Sequence, residues 1–282
     1  MTGSATGVGT ASSQSLGGRV LRELPLLVVL YLAYQLGRVV AGEHATAAFL
    51  NAEQVWDAER WLQLPNEATI QQWVWDWPGL IRAANTYYAV AHFPLTAAVL
   101  VWVFVRRSAA YSWFRWALVI LTALGLVGHL AYPLAPPRML TAYGLLDTGV
   151  LFGQSVYSPP GTGIANQYAA MPSLHVGWAA LIAIAVILTT TSRWRWLALA
   201  HPILTVLVVV VTANHYWMDG LVALALLGAT LWLVRRLLPG GSVPQPEPAP
   251  VRDELIEPAG RDLTAGPGGE PEPDSELIGV SR

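Results

Sequence analysis

The chain has 282 residues, of which 54% are apolar and 12% charged, and this composition is typical of an integral membrane protein. Its 16 basic residues nearly balance its 18 acidic ones, so nothing indicates a nucleic-acid partner. The absence of cysteine excludes disulfides, thiolate catalysis and cysteine-based zinc or iron–sulfur sites.

The chain opens with a Gly/Ser/Thr-rich leader, residues 1–20, which we expect to be disordered. The first apolar run behind it lacks a clear signal-peptide cleavage site, so we interpret that run as a retained membrane anchor. In all, six apolar runs behind the leader reach or approach the roughly 20 residues needed to cross a bilayer core. They predict an all-α integral membrane protein, a six-transmembrane-helix bundle whose catalytic domain covers residues 21–238. The predicted spans lie at about 24–41, 86–105, 113–133, 173–191, 194–213 and 216–238.

Arginine placement predicts the orientation of this bundle. All 16 basic residues are arginine. With six spans, the arginines that flank the spans all fall on one face of the membrane. The positive-inside rule makes that face cytoplasmic and places both termini inside. The all-arginine usage and the richness in Ala, Val, Leu, Gly and Pro suggest a GC-rich bacterial genome, and hence a bacterial plasma membrane. The arginines concerned are Arg19, Arg22, Arg106, Arg107, Arg115, Arg193, Arg195, Arg235 and Arg236.

Two long loops, about 42–85 and 134–172, then fall on the extracytoplasmic face. The first contains five tryptophans among acidic residues and glutamines, a pattern that favours interfacial helices in the headgroup zone at about 43–82. Residues 239–282 are rich in Pro, Gly and Glu and have no helical apolar period. They predict a disordered cytoplasmic tail.

Three polar stretches that are far apart in the sequence arrive at this extracytoplasmic face. "HLAYPLAPPRML" (129–140) ends the third span, "MPSLHVGWA" (171–179) opens the fourth, and "TANHYWMDG" (212–220) joins the fifth to the sixth. Ionisable residues at membrane depth are costly, which makes a functional role the default interpretation. The sequence therefore predicts one pocket that contains Arg138, His175, His215 and Asp219.

These residue types fit phosphoryl chemistry. His215 and Asp219 are four residues apart, so on a helix the carboxylate can accept a ring N–H and orient the imidazole as a nucleophile. His175 can protonate a departing alkoxide and later activate an acceptor. Arg138 offers the cationic fork that suits phosphate. Ser173 and the free amides at the start of the fourth span can add oxyanion donors.

The same stretches resemble the signature blocks of the type-2 phosphatidic acid phosphatase superfamily, which comprises membrane lipid phosphatases and phosphotransferases. "YPLAPPR" resembles the first block and matches its arginine with Arg138. "PSLH" resembles the second block, with Leu174 in place of glycine, and "HYWMD" matches the third. The resemblance implies that His215 is the phosphohistidine nucleophile, Asp219 its partner and His175 the acid–base. It also implies that the reaction needs no metal.

The chain departs from the superfamily pattern in two places, and the second departure points to one branch. The chain contains no lysine to match the family's upstream lysine, and Val208 and Val209 stand where the third block usually carries Ser-Arg. Together with "HYWMD" and "YPLAPPR", this looks closest to the sphingolipid-synthase branch, which includes inositol-phosphorylceramide synthases. "NTYYAVAHFP" (85–94) also resembles that branch. Asn85, Tyr88 and His92 are therefore candidate substrate-binding residues beside Arg138 and Ser173.

The predicted function is a metal-independent membrane phosphatase or phosphotransferase that acts on lipid phosphates or phosphodiesters. A headgroup transferase of the sphingolipid-synthase type is the alternative within this chemistry. A lipid transporter or scramblase is the alternative without chemistry, although such proteins keep their polar residues near the bilayer midplane. No metal or other cofactor is expected. The expected partners are the lipid substrate and the membrane, and the oligomeric state stays open.

The remaining histidines have less specific surroundings. His129 can reach the pocket or hydrogen-bond a neighbouring helix, and the helix contact is favoured. His201 precedes Pro202 toward the cytoplasmic half of the fifth span, which indicates a structural role. His44 is expected in a loop.

Overall fold

A computed structural model describes residues 45–153, 155, 166–237 and 244, together with positions 18, 21, 23, 25, 28 and 32. The predicted leader, the first span, His44 and the C-terminal tail fall wholly or mostly outside the described residues. The described chain is helical apart from its loops. The described residues contain no β-strand, only an isolated parallel bridge between Leu134 and Ala169.

The described helices follow the apolar runs of the sequence. A π-helical turn, Tyr87–Ala91, joins α3 to α4, and a 3-10 helix, Arg193–Leu199, leads into α8. The α-helices are α1 (Ala45–Trp61), α2 (Glu67–Trp73), α3 (Pro78–Thr86), α4 (His92–Arg106), α5 (Ser108–Ala131), α6 (Thr148–Phe152), α7 (Leu174–Thr189), α8 (Ala200–Val211) and α9 (Trp217–Leu237).

Four helical stretches of the described chain are long and apolar enough to cross a membrane. They correspond to the second, third, fifth and sixth predicted spans, so the expectation of an all-helical, membrane-embedded protein is confirmed. The helix α7 is apolar as well but shorter, with 16 residues. The four stretches are Pro78–Arg106, Ser108–Ala131, Arg193–Val211 and Trp217–Leu237.

The second of the predicted spans begins earlier than the sequence pattern indicated. The helix starts at Pro78, whereas the apolar run gave a start near residue 86. Polar residues such as Arg82 and Asn85 interrupt the apolar run in α3, so hydropathy alone does not include this segment. Proline at the first helical position has no N–H to leave unpaired, which suits a helix start.

The helix α7 lies at the centre of the bundle and packs against α4, α5, α8 and α9. More than half of its residues are buried, which explains why its sequence is apolar on all sides rather than on one face. Small residues such as Ala179, Ala183 and Gly177 allow the neighbouring helices to approach. In a membrane, where the surrounding lipid is as apolar as leucine, such close packing stabilises helix contacts.

A second group of helices, α1 and α2, packs on the loops at one end of the bundle. Ala48, Ala52 and Trp56 share a buried cluster with Leu134 and Tyr216. Side-chain amides hold these loops, because buried backbone groups need partners. Asn51 Nδ2 donates to the Pro133 carbonyl at 2.8 Å. Gln71 donates to the Leu146 carbonyl and accepts from its N–H, both at 3.0 Å.

Two glycines of α5 set the position at which α7 begins. A Cβ at Gly125 would lie 2.5 Å from Cδ2 of Leu174, and a Cβ at Gly128 would lie 2.8 Å from Cδ of Pro172. Both distances are too short for real atoms. Leu174, which replaces the glycine of the second family block, therefore occupies space that Gly125 leaves open.

We expect Gly128→Ala to destabilise the protein by about 1–3 kcal/mol, because the added methyl group meets a proline ring that is bonded to the backbone. Gly125→Ala is the matched control. Its clash falls on the end of the flexible Leu174 side chain, which can turn away, and alanine favours the helix. Thermal unfolding in detergent measures both. A lower midpoint for Gly125→Ala than for Gly128→Ala would contradict this account.

Candidate active site

A tight turn between α8 and α9 positions His215. The helix α8 ends at Val211, and Ala213 then adopts a left-handed conformation with φ of 53°. The backbone N–H groups of Asn214 and His215 both donate to the Val209 carbonyl, at 2.9 and 3.1 Å. A left-handed non-glycine residue costs about 1–2 kcal/mol, and such strain tends to occur at functional sites.

His215 contacts Asp219 as the four-residue spacing predicts, although His215 lies in the turn ahead of α9 rather than on the helix. Nδ1 of His215 is 3.1 Å from Oδ2 of Asp219 and 2.8 Å from the Ala170 carbonyl oxygen. Both partners are acceptors, so Nδ1 carries the proton and donates, and Nε2 holds the lone pair. Oδ2 of Asp219 also accepts the Tyr216 N–H at 3.0 Å.

The surroundings of His215 favour a neutral imidazole. Burial lowers its pKa to about 4; the hydrogen bond to the Ala170 carbonyl opposes this shift, and the positive charge of Arg138 adds to it. The ring is therefore uncharged throughout the neutral pH range. A neutral imidazole with its lone pair on Nε2 is the form that can attack phosphorus.

The Pro-Ser-Leu-His stretch meets this pair at the start of α7. Ser173 is fully buried and caps the helix, because its Oγ accepts the Val176 N–H at 3.4 Å. Its own N–H donates to the backbone carbonyl of Asp219 at 3.1 Å. The ring of His175, which is partly exposed, lies 5.8 Å from the ring of His215, measured between centroids.

Three aromatic side chains from the junction of α3 and α4 surround His175. The ring of Tyr88 stacks on it with centroids 4.5 Å apart and an interplanar angle of 25°. The ring of His92 lies 4.7 Å from it, and that of Phe93 meets it edge-on at 6.0 Å. The π-helical turn at Tyr87–Ala91 lies at this junction, and such turns often occur at functional sites. Tyr88 and His92, predicted to bind substrate, thus contact a predicted catalytic residue.

Arg138 is held beside the turn that carries His215. It lies on a short 3-10 helix, is 4% exposed, and its backbone N–H donates to the Ala213 carbonyl at 2.8 Å. Its Nη1 donates to Oδ1 of Asn214 at 2.7 Å, and its Nε lies 3.3 Å from Oδ2 of Asp147. Neither of these two partners of Arg138 was predicted from the sequence. Asn214 directly precedes His215, and a polar residue at that position was the available signal.

Asn85 contacts the loop around α6 and not the group of rings around His175. The side chain is 3% exposed, and its Nδ2 donates to the carbonyls of Thr148 and Gly153 at 2.8 and 3.1 Å. Its Oδ1 accepts the Thr148 hydroxyl at 2.8 Å. In this structure the amide therefore fastens α3 to the loop around α6. A direct contact between Asn85 and substrate stays a prediction.

The other two histidines of the described chain have structural partners. Nε2 of His129 is 2.9 Å from the carbonyl oxygen of Pro172 and joins α5 to the turn before α7. Nδ1 of His201 is 2.6 Å from the hydroxyl of Tyr87, which links α8 to the π-helical turn. Within the described part of the chain, no group of three or more His, Asp or Glu side chains is arranged to hold a metal ion.

A family model described as the PAP2 superfamily matches residues 53–233, which is well over half of the chain and includes every residue of the site. The chain belongs to the PAP2 superfamily. Membership indicates an enzyme of the phosphatase and phosphotransferase class that acts on phosphate esters. No curated protein and no solved structure matches the chain significantly. The superfamily expectation is confirmed, and the match does not distinguish its branches.

The Tyr88 stack gives a test of how this PAP2 protein holds His175. We expect Tyr88→Leu to lower kcat by up to about tenfold, since an aromatic pair contributes roughly 0.5–1.5 kcal/mol beyond its buried area. Tyr88→Phe keeps the stacked ring and should retain most of the activity. Steady-state kinetics on one phosphate ester measure both variants. Equal losses in the two would assign the effect to the hydroxyl group instead of the ring.

Proposed function

We propose that this PAP2 superfamily member is a metal-independent membrane phosphatase or phosphotransferase that acts on lipid phosphates or phosphodiesters through a phosphohistidine intermediate. The observation that carries the proposal is the His215–Asp219 pair. The Nδ1 proton of His215 is held by two acceptors, so the lone pair lies on Nε2, and a second histidine ring lies 5.8 Å away.

In the first step, Nε2 of His215 attacks phosphorus, a P–N bond forms, and the bond from phosphorus to the leaving oxygen breaks. His175 donates a proton to that oxygen. Asp219 stabilises the positive charge that develops on the His215 ring. Arg138, oriented by Asn214, binds the non-bridging phosphate oxygens, as a rigid guanidinium fork suits.

In the second step, His175 takes a proton from an incoming hydroxyl, the oxygen attacks phosphorus, and the P–N bond breaks to restore His215. Water as the acceptor gives hydrolysis, and a lipid or polyol hydroxyl gives transfer. The transferase alternative, of the sphingolipid-synthase type, is supported by "YPLAPPR", by "HYWMD" and by Val208 and Val209 in place of the usual Ser-Arg.

The remaining predicted site residues receive supporting roles in this proposal. Ser173 and the amides at the start of α7 assist in binding the phosphate, because a helix N-terminus favours anions. Tyr88 and His92 hold His175 and border the leaving group. Asn85, which lies on α3 and fastens the loop around α6, is proposed to contact the substrate from that helix.

The proposed topology has six spans, with α7 and residues 24–41 added to the four long apolar stretches. The site residues lie beyond the end of α5 and at the starts of α7 and α9, whereas Arg107 directly precedes α5 and Arg235 lies in the last turn of α9. The positive-inside rule then places the site on the extracytoplasmic face of a bacterial plasma membrane, with both termini cytoplasmic. Residues 1–20 and 239–282 are proposed to be disordered.

The helices α1 and α2 are proposed to lie in the headgroup zone. Trp61, Trp73 and Trp77 are 82%, 74% and 67% exposed, and tryptophan is enriched at membrane interfaces. Two other tryptophans of this region pack inward. Trp56 lies against the ring of Tyr143 at 4.9 Å, and Trp75 meets another aromatic ring at 5.2 Å.

The experiment that tests the function is turnover of a panel of lipid phosphates and phosphodiesters in detergent with EDTA present. Free phosphate and new lipid products are followed together. Free phosphate supports a phosphatase, and a headgroup-bearing lipid that forms only with an added acceptor supports a transferase. We expect His215→Ala to lower turnover by roughly 10³-fold or more, and Asp219→Asn by about 100-fold or more, with the fold unchanged.

A labelled phosphate group retained on quenched wild-type protein, and absent from His215→Ala, would locate the covalent step. Turnover that survives in His215→Ala would overturn the nucleophile assignment. Turnover that EDTA abolishes, and that added metal restores, would overturn the metal-independent mechanism. Transport of lipid without any product would favour the transporter alternative.

We expect the loss caused by His175→Ala to depend on the leaving group. An aryl phosphate, whose leaving oxygen needs little protonation, should lose at least about tenfold less activity than an alkyl phosphate. Single-turnover formation of the phosphoenzyme measures this step apart from its hydrolysis. Equal losses for both leaving groups would remove the general-acid role from His175.

A further inference from the structure

Two glutamates and an arginine form a buried cluster that the proposed chemistry does not use. Glu59 at the end of α1 and Glu67 at the start of α2 are both 0% exposed. Nη1 and Nη2 of Arg60 lie 3.1 and 3.0 Å from Oε2 of Glu67, and Nη2 lies 3.4 Å from Oε2 of Glu59. One guanidinium therefore faces two buried carboxyl groups.

Both carboxyl groups contact the same nitrogen, Nη2 of Arg60, so they lie close together in a buried site. Two adjacent buried negative charges repel each other, so a proton shared by the pair stabilises it. Burial, followed by the hydrogen bond to Glu67 and the charge of Glu67, raises the pKa of Glu59 to about 9. At neutral pH Glu59 therefore holds this shared proton.

Glu59 also binds the first turn of α9, the helix that carries Asp219. The N–H of Met218, the second residue of α9, donates to Oε1 of Glu59 at 2.7 Å. The first N–H groups of a helix have no partner within the helix, so this carboxyl group caps α9 from a distant part of the chain. Beside it, Nε1 of Trp217 donates to the Pro65 carbonyl at 2.9 Å.

We propose that Glu59 is a positioning residue, which holds the first turn of α9 through the Met218 N–H so that Asp219 meets Nδ1 of His215. The inference rests on the proposed function, since it concerns the same site. Met218 directly precedes Asp219, and the Asp219 carboxylate in turn accepts the Tyr216 N–H at 3.0 Å. A shift of this turn would move the Asp219 carboxylate and its donor Tyr216 relative to the ring of His215.

Loss of the shared proton places a second buried negative charge in the cluster. The charged and titratable groups that face Glu59 are Glu67 from α2, Arg60 from its own helix, and Asp219 with Tyr216 at the start of α9. Arg60 alone then balances two carboxylates. The added repulsion acts on Asp219, and the first turn of α9 loosens.

Glu59→Gln and Glu59→Leu separate positioning from charge. Glutamine keeps a carbonyl oxygen for the Met218 N–H and supplies an N–H to Glu67 in place of the shared proton. We expect it to keep kcat within about threefold of wild type at neutral pH, whereas leucine lowers kcat about tenfold or more with a smaller change in KM. An equal loss of kcat in Glu59→Gln and Glu59→Leu would overturn the proposal that Glu59 caps α9 through the Met218 N–H.

The pH profile tests the shared proton. We expect wild-type kcat to fall above about pH 9, and the fall to be absent from Glu59→Gln. An exposed glutamate of the same helix, Glu53, provides the control variant Glu53→Gln, which should keep the wild-type profile. An alkaline fall of the same size in Glu59→Gln would overturn the shared proton.

Thermal unfolding against pH tests the same proton without substrate. The folded protein holds this proton between pH 4.5 and about 9, where an unfolded glutamate does not. The folded state therefore binds more protons, and the free energy of unfolding falls as pH rises through this window. Glu59→Gln should lose this part of the slope, and Glu53→Gln should keep it. If the free energy of unfolding of Glu59→Gln depends on pH as steeply as that of the wild type, the shared proton is overturned. This outcome does not depend on which substrate the enzyme uses.

Discussion

Asp219 is fully buried, and a buried carboxylate is strongly destabilising unless donors reach its oxygens. Its Oδ2 receives two donors, the Tyr216 N–H and the His215 ring N–H. Both come from the turn that ends α8, and Ser173 adds a bond to the Asp219 backbone carbonyl. The turn, the start of α7 and the start of α9 must therefore meet at one point, and that requirement fixes the geometry of the site.

Packing and hydrogen bonds elsewhere in the bundle allow these three segments to meet. The small faces of Gly125 and Gly128 let the start of α7 approach α5 within contact distance. His129 satisfies the Pro172 carbonyl, and Asn51 satisfies that of Pro133, since backbone groups at membrane depth need partners inside the protein. The polar residues that lie outside the reacting centre thus serve mainly to complete hydrogen bonds of the loops that frame it.

The sequence predicted the contact between His215 and Asp219 better than the contacts that hold these residues in place. The four-residue spacing of His215 and Asp219 and the Pro-Ser before His175 are local patterns, so a single chain reveals them. Contacts of Glu59 with Met218 depend on residues 159 positions apart, and the acidic, tryptophan-rich pattern around Glu59 is equally typical of a surface helix. Hydropathy also began the second span only after Asn85, whereas the helix begins at Pro78, because hydropathy does not account for a polar side chain whose partners lie on another loop.

The length of α7 bears on how a substrate loses its water. Sixteen residues make a helix about 24 Å long, roughly 6 Å less than the hydrocarbon core of a bilayer. In the proposed six-span topology, a helix of that length does not bring both of its ends to the headgroup level, and Ser173 and His175 mark the end at the candidate site. A lipid phosphate bound there, as proposed, would lie below the plane of neighbouring headgroups. Its depth in the membrane would then provide the dehydration for which many soluble enzymes use a closing lid.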